Sequence, residues 1–126
     1  MSGESRRRTV LVVDDQPTNV RLLADILRPR HDVVFATTGA RALAIAASRD
    51  VDLVLLDVHL PDMHGYEVCR ALLRAERTAR VPVVFVTGSD SPDNEQARRD
   101  AGAAETILKP FDIAHLLARV DALLDR

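Results

Sequence analysis

Five side chains in this sequence have the types and positions needed to move a phosphoryl group. Asp14 and Asp15 follow the apolar run Thr9 to Val13, Asp57 follows Leu53 to Leu56, Thr87 follows Val83 to Val86, and Lys109 follows Thr106 to Leu108. Three carboxylates gathered in one place repel one another and resist desolvation. A hard divalent cation relieves both, and Mg2+ commonly takes one or two carboxylates, several waters and a phosphate oxygen. Lys109 supplies further positive charge, able to pair with Asp57 at rest and with a phosphoryl oxygen after transfer. Thr87 offers a hydroxyl that can donate to the same oxygen. A carboxylate nucleophile, a metal, a cation and a hydroxyl donor make a phosphoryl-transfer site, where catalysis is mainly positioning and charge neutralisation.

Each of these residues has a plain reading when taken alone. Asp14 and Asp15 could be helix caps, Thr87 a strand former and Lys109 a solvated surface lysine. Their shared position is what argues against that. All five stand at the carboxyl ends of apolar runs, and in open α/β sheets that edge is where ligands bind. The runs themselves are Thr9 to Val13, Val33 to Ala36, Leu53 to Leu56, Val83 to Val86 and Thr106 to Leu108. They are rich in Val, Leu and Ile with little alternation, as strands buried on both faces of a parallel sheet are.

Helical patterns lie between the runs. Pro17 suits a first turn, and that helix should stop before Pro29. Thr38 can cap a helix through Arg41 to Ala47, and Tyr66 to Glu76 reads as a third. Ser91 and Pro92 make an N-cap and first-turn proline, with Gly102 the matching stop. Asp112 caps the last helix, whose apolar face is Ile113, Leu116, Leu117, Val120, Leu123 and Leu124. Strand and helix alternating five times imply right-handed βαβ units and a doubly wound sheet. If the strand order is 2-1-3-4-5, strands 1 and 3 adjoin at the switch point and the three carboxylates converge there.

The chain has 126 residues, enough for one domain with a real core, and 47% of them are apolar, too many for a disordered chain. Its formal net charge of −2 argues against a nucleic-acid backbone or an anionic membrane as main partner. The single cysteine, Cys69, cannot form an intramolecular disulfide, which fits a reducing cytoplasm. No apolar stretch approaches ~18 residues, so no membrane span is expected. Residues 1–8 read as a flexible polar tail carrying Arg6, Arg7 and Arg8, and residues 9–126 as the domain.

Four segments carry a resemblance. They are Val12-Val13-Asp14-Asp15-Gln16-Pro17, Leu55-Leu56-Asp57-Val58-His59-Leu60-Pro61-Asp62-Met63-His64-Gly65, Val86-Thr87-Gly88 and Leu108-Lys109-Pro110-Phe111. In this order and spacing the chain resembles, over nearly its whole length, a CheY-like response-regulator receiver domain of two-component signal transduction. The resemblance implies the flavodoxin-like (βα)5 fold with sheet order 2-1-3-4-5, of which receivers are a standard example. It implies transfer to Asp57 from a phosphohistidine of a sensor histidine kinase or phosphotransfer protein. It implies Mg2+ held by Asp15, Asp57 and the backbone carbonyl of His59, with Asp14 acting largely through water. It also implies slow self-dephosphorylation, a cis Lys109-Pro110 bond, and a kinase-docking face at Pro17, Val20 and Arg21.

Three positions depart from the family pattern. Thr106 stands where many receivers carry a switching aromatic, so the signal is expected to pass through Thr87 and the loop after it. Gly88 replaces a more typical alanine, which loosens that loop. His59 is uncommon two residues after the acceptor, near the route of an attacking water, and is expected to tune phosphoryl lifetime. Cys69 reads as a small buried hydrophobe, and His31, His64 and His115 as surface residues.

Two other functions compete. A phosphohydrolase of haloacid-dehalogenase type needs a second Asp two residues after its nucleophile, and here Gln16 and His59 stand two residues after Asp14 and Asp57. A degenerate receiver acting only as a protein-binding module would not need all five site residues. The expectation is therefore a phosphoacceptor, not a turnover enzyme, that switches contacts with an output domain or downstream protein. It reads either as a stand-alone regulator or as the input part of a longer one. The resemblance leaves room for a homodimer through the fourth helix, fifth strand and fifth helix.

Overall fold

The computed structural model describes residues 7–88 and 92–125. The elements run β1 (Thr9–Val13), α1 (Pro17–Leu27), β2 (Asp32–Ala36), α2 (Gly39–Ser48), β3 (Leu53–Leu56), α3 (Gly65–Arg74), β4 (Val83–Thr87), α4 (Pro92–Ala101), β5 (Glu105–Leu108) and α5 (Ile113–Leu124). The five strands are parallel and ordered β2-β1-β3-β4-β5, as expected. β1, β3 and β4 are buried almost throughout because they lie inside the sheet with helices on both faces. Alternate residues feed opposite layers. Leu11, Val13, Val54, Leu56 and Phe85 pack toward α2 and α3, while Val10, Val12, Leu53, Leu55 and Val84 pack toward α1 and α5. The edge strand β2 keeps only Ala36 fully buried, which is why its apolar signal is weaker.

The helix boundaries follow local chemistry. Thr38 Oγ1 accepts from Arg41 N at 3.1 Å and starts α2, and Asp112 Oδ1 accepts from Ala114 N at 2.8 Å and starts α5. Gly102 ends α4 with φ of +92°, a backbone that side chains with a Cβ rarely adopt. The cap read at Ser91 lies outside the described residues.

Three expectations need correction. The third helix starts at Gly65 and ends at Arg74, because His64 caps it: its Nδ1 accepts from Tyr66 N at 3.2 Å, while Glu67 Oε1 accepts from His64 N at 3.1 Å. This is the reciprocal capping box with histidine in the usual serine place. His31 is not a surface residue; it is 8% exposed, packed beneath α5 with Nε2 3.5 Å from Asp121 Oδ1. Ile113, placed on the apolar face of α5, is exposed, and the buried set is Leu116, Val120, Leu123 and Leu124.

Within the segment 1–8, Arg7 and Arg8 are anchored. Arg7 donates to Asp32 and to the carbonyls of Arg28 and His31, and Arg8 donates to the Leu124 carbonyl.

Candidate functional site

The carboxyl ends of β1 and β3 adjoin, with Val13 in register with Leu56. The next residues therefore leave the sheet side by side. Asp57 N donates to Val13 O at 2.9 Å, which holds the β3 exit against the β1 exit. Asp14 is buried at 2% exposure, its Oδ1 accepting from Gln16 N at 2.9 Å, and Asp15 is exposed at the mouth. Carboxylate oxygens of Asp14, Asp15 and Asp57 all lie within 4.8 Å of one another.

Lys109 arrives from β5. Its main-chain N donates to Thr87 O at 2.9 Å, which ties the ends of β4 and β5, and the Lys109-Pro110 bond is cis. Its ammonium donates to Asp14 Oδ2 at 2.9 Å and to Asp57 Oδ2 at 3.3 Å. Burial opposes the charge on Lys109, but the hydrogen bond to Asp14 and the charges of Asp57 and Asp14 outweigh it, so its pKa lies above the ordinary lysine value. The cation is therefore fixed in place beside the carboxylates.

A cavity of about 400 Å³ opens over this group, lined by Asp15, Gln16, Asp57, His59, Thr87 and Gly88. Thr87 is fully buried at the end of β4. His59 N lies 3.4 Å from Asp57 Oδ1, and its exposed ring stands edge-on to that of His64 with centroids 6.0 Å apart. Hard oxygen donors converging on one point, with a cation behind and open space in front, suit a divalent metal and a phosphoryl group.

Two supports escaped the sequence reading. Gly65 N donates to Val58 O at 2.7 Å, and a Cβ at residue 65 would stand 2.5 Å from the Asp57 carbonyl oxygen. Only glycine lets α3 start so close to the chain carrying Asp57. Asp62 caps α2 from a distance, its two oxygens accepting from Gly39 N and Ala40 N at 2.8 Å each. These bonds hold its pKa below the ordinary carboxylate value. A glycine after the His64 cap was a readable signal for the first; the second joins residues 22 and 23 positions apart and left none.

Residues 10–121 match the family described as the response regulator receiver domain. A probable cyclic di-GMP phosphodiesterase of Vibrio cholerae is 38% identical over 112 residues, 89% of this chain and 25% of that protein. Protein PilH of Pseudomonas aeruginosa is 32% identical over 116 residues, 91% of this chain and 96% of that protein. The receiver domain of a Pseudomonas aeruginosa sensor histidine kinase, solved with magnesium coordinated in its active-site cleft, matches with a TM-score of 0.89 and 25% identity, covering 96% of this chain and 100% of that one. The chain spans from a quarter to about half the length of several other curated relatives.

Proposed function

Because the chain belongs to the response regulator receiver domain family of two-component systems, we propose that Asp57 is its phosphoacceptor. The observation that carries this is Asp57 facing an open cavity while sharing the Lys109 ammonium with the buried Asp14.

In this reading an Asp57 carboxylate oxygen attacks the phosphorus of a phosphohistidine on a sensor histidine kinase or phosphotransfer protein. An O–P bond forms and the P–N bond breaks, its electron pair staying on the imidazole nitrogen. Lys109 turns from Asp57 toward a phosphoryl oxygen, and the Thr87 hydroxyl donates to another. The three carboxylates fit a hard divalent cation by donor type and mutual distance. Asp15, Asp57 and the His59 carbonyl would hold Mg2+, with Asp14 contributing through water. The ion would neutralise charge on the transferring phosphoryl oxygens.

The modified domain then changes its contacts with an output domain or downstream protein, or with a second copy through α4, β5 and α5. Thr106 puts no aromatic at its place in β5, so the change passes through Thr87 and the loop after it. The domain acts in the cytoplasm, without direct nucleic-acid or membrane contact, and catalyses only its own phosphorylation and dephosphorylation. Among the described residues no helix is long and apolar enough to cross a membrane.

The test is incubation with acetyl phosphate and Mg2+ followed by intact mass. One alkali-labile phosphoryl group should appear and be absent from Asp57→Asn. Steady phosphate release without a stable adduct would point to a hydrolase, and no reaction at all to a binding module.

A further inference from the structure

The far edge of the sheet carries a feature that the phosphoryl site does not use. Asp32 N donates to Arg8 O at 2.9 Å and Ala36 O accepts from Asp14 N at 3.1 Å. In a parallel ladder, alternate residues bond a given neighbour. Asp32, Val34 and Ala36 therefore face β1, while Val33 and Phe35 turn their N–H and C=O groups outward. Such groups are a template for an added strand. Phe35 is 54% exposed beside them.

A cavity of about 800 Å³ runs along this edge, with Val33, Phe35 and Ile45 among its lining. Arg28, at the end of α1, and Arg41 and Arg49, from α2 and its C-terminal cap, also line it; no Asp or Glu does. Among the described residues none of these three arginines lies within ion-pair distance of a carboxylate, whereas Arg7, Arg30, Arg77 and Arg119 each hold one. A run of unpaired arginines on a chain of net charge −2 is a local excess of one sign. Charges near an edge strand commonly serve to keep other strands away. That accounts for the arginines. It does not account for Phe35, which puts a large apolar side chain on the edge being guarded.

We propose that the β2 edge is a docking site for an extended acidic segment of a partner protein. The segment adds as a sixth strand, bonds to the main chain of Val33 and Phe35, and sets an apolar side chain against Phe35. Side chains of a strand alternate between faces. Carboxylates immediately before and after the apolar position therefore point to the opposite face, toward Arg41 and Arg49 on the α2 side, while a carboxylate two positions away shares the face of Phe35 and reaches Arg28 on the α1 side. A second copy of this chain is the wrong occupant, because edge-to-edge pairing would bring three more arginines against these.

The test uses the isotope-labelled full chain and a short capped peptide with a run of valines flanked on both sides by glutamates. Amide shifts should centre on Val33 and Phe35, with slowed hydrogen exchange there and weaker binding at high salt. The double variant Arg28→Glu/Arg41→Glu should lose roughly tenfold or more in affinity. Phe35→Ser, which leaves every arginine in place, should also weaken binding. A matching peptide with lysines for glutamates should not bind. Absence of shifts at millimolar peptide, shifts centred elsewhere, or equal binding by both variants would overturn the proposal. Protection of the same amides by concentration-dependent self-association, or binding of anionic vesicles in place of the peptide, would also overturn it.

Discussion

Lys109 makes its shorter contact with Asp14, 2.9 Å from Nζ to Oδ2, and its longer one with Asp57 at 3.3 Å. From sequence alone its expected partner is Asp57. Asp14 is 2% exposed, and a buried carboxylate without a compensating charge is costly. Lys109 thus has a structural duty to Asp14 beside its chemical duty to the phosphoryl group. Lys109→Met should destabilise the fold by about 1–3 kcal/mol, discounted from a fully buried pair because the lysine is partly solvated. It should slow acetyl-phosphate uptake roughly 100-fold or more. Urea unfolding with and without Mg2+ separates the two duties. A divalent cation should return part of the lost stability while uptake stays slow.

Gly65 and Asp57 are also in direct opposition. A Cβ at position 65 meets the Asp57 carbonyl oxygen at 2.5 Å and Val58 Cα at 2.8 Å. Backbone cannot move aside cheaply, so Gly65→Ala should cost about 1–3 kcal/mol and displace the chain that carries Asp57. Thermal melts and phosphoryl uptake should fall together. A variant as stable and as reactive as the parent would refute the packing role given to this glycine.

How much of this was legible varied with the kind of interaction. β1, β3 and β4 are buried on both faces, so their unbroken apolar runs could be read directly. β2 and β5 carry polar residues at their starts, Asp32 and Glu105, and were read one residue short for that reason. The residues around Asp57 were legible because topology alone carries all five to one sheet edge. The partner of Asp14 was not, since choosing between two carboxylates for one lysine needs distances. His31 was misread because nothing local distinguishes a histidine beneath α5 from one in solvent; its burial is set by Leu27, Asp121 and the anchoring of Arg7.

Asp62 gives a pH prediction. Its bonds to Ala40 N and Gly39 N lower its pKa from 3.8 in the folded chain. A carboxylate with a depressed folded pKa contributes stability above its unfolded pKa, and that contribution is lost as pH falls through the folded value. The parent should therefore lose stability below about pH 4 more steeply than Asp62→Asn. At neutral pH Asp62→Asn should melt lower, since a neutral amide is a weaker cap at the helix N-terminus. Melting curves from pH 7 down to pH 3 test this, and parallel curves for the two proteins would refute it.

Cys69 is fully buried, its Sγ 3.3 Å from the Ala101 carbonyl, and burial pushes its thiol up to about 11. The thiolate is the reactive form, so a native thiol of this kind should be inert at pH 8. Reaction with an aromatic disulfide reagent should run roughly a thousandfold slower in the folded chain than in urea, because it must wait for local opening. Rapid native labelling would contradict the burial of this residue.

His59 stands at the mouth of the cavity that Asp57 and Thr87 also line. Water that hydrolyses an Asp57 acyl phosphate must approach through that opening. An imidazole can hold and orient such a water, whereas a thioether cannot. His59→Met should therefore lengthen the life of the phosphorylated form, by about tenfold on the low side of general acid–base effects. The His59 carbonyl is unchanged by the substitution, so Mg2+ affinity should stay the same. Decay of the adduct followed by intact mass, beside a Mg2+ titration of the unmodified chain, reads both quantities. Equal decay rates at equal Mg2+ affinity would remove His59 from the hydrolytic path and leave lifetime to the carboxylates and Lys109.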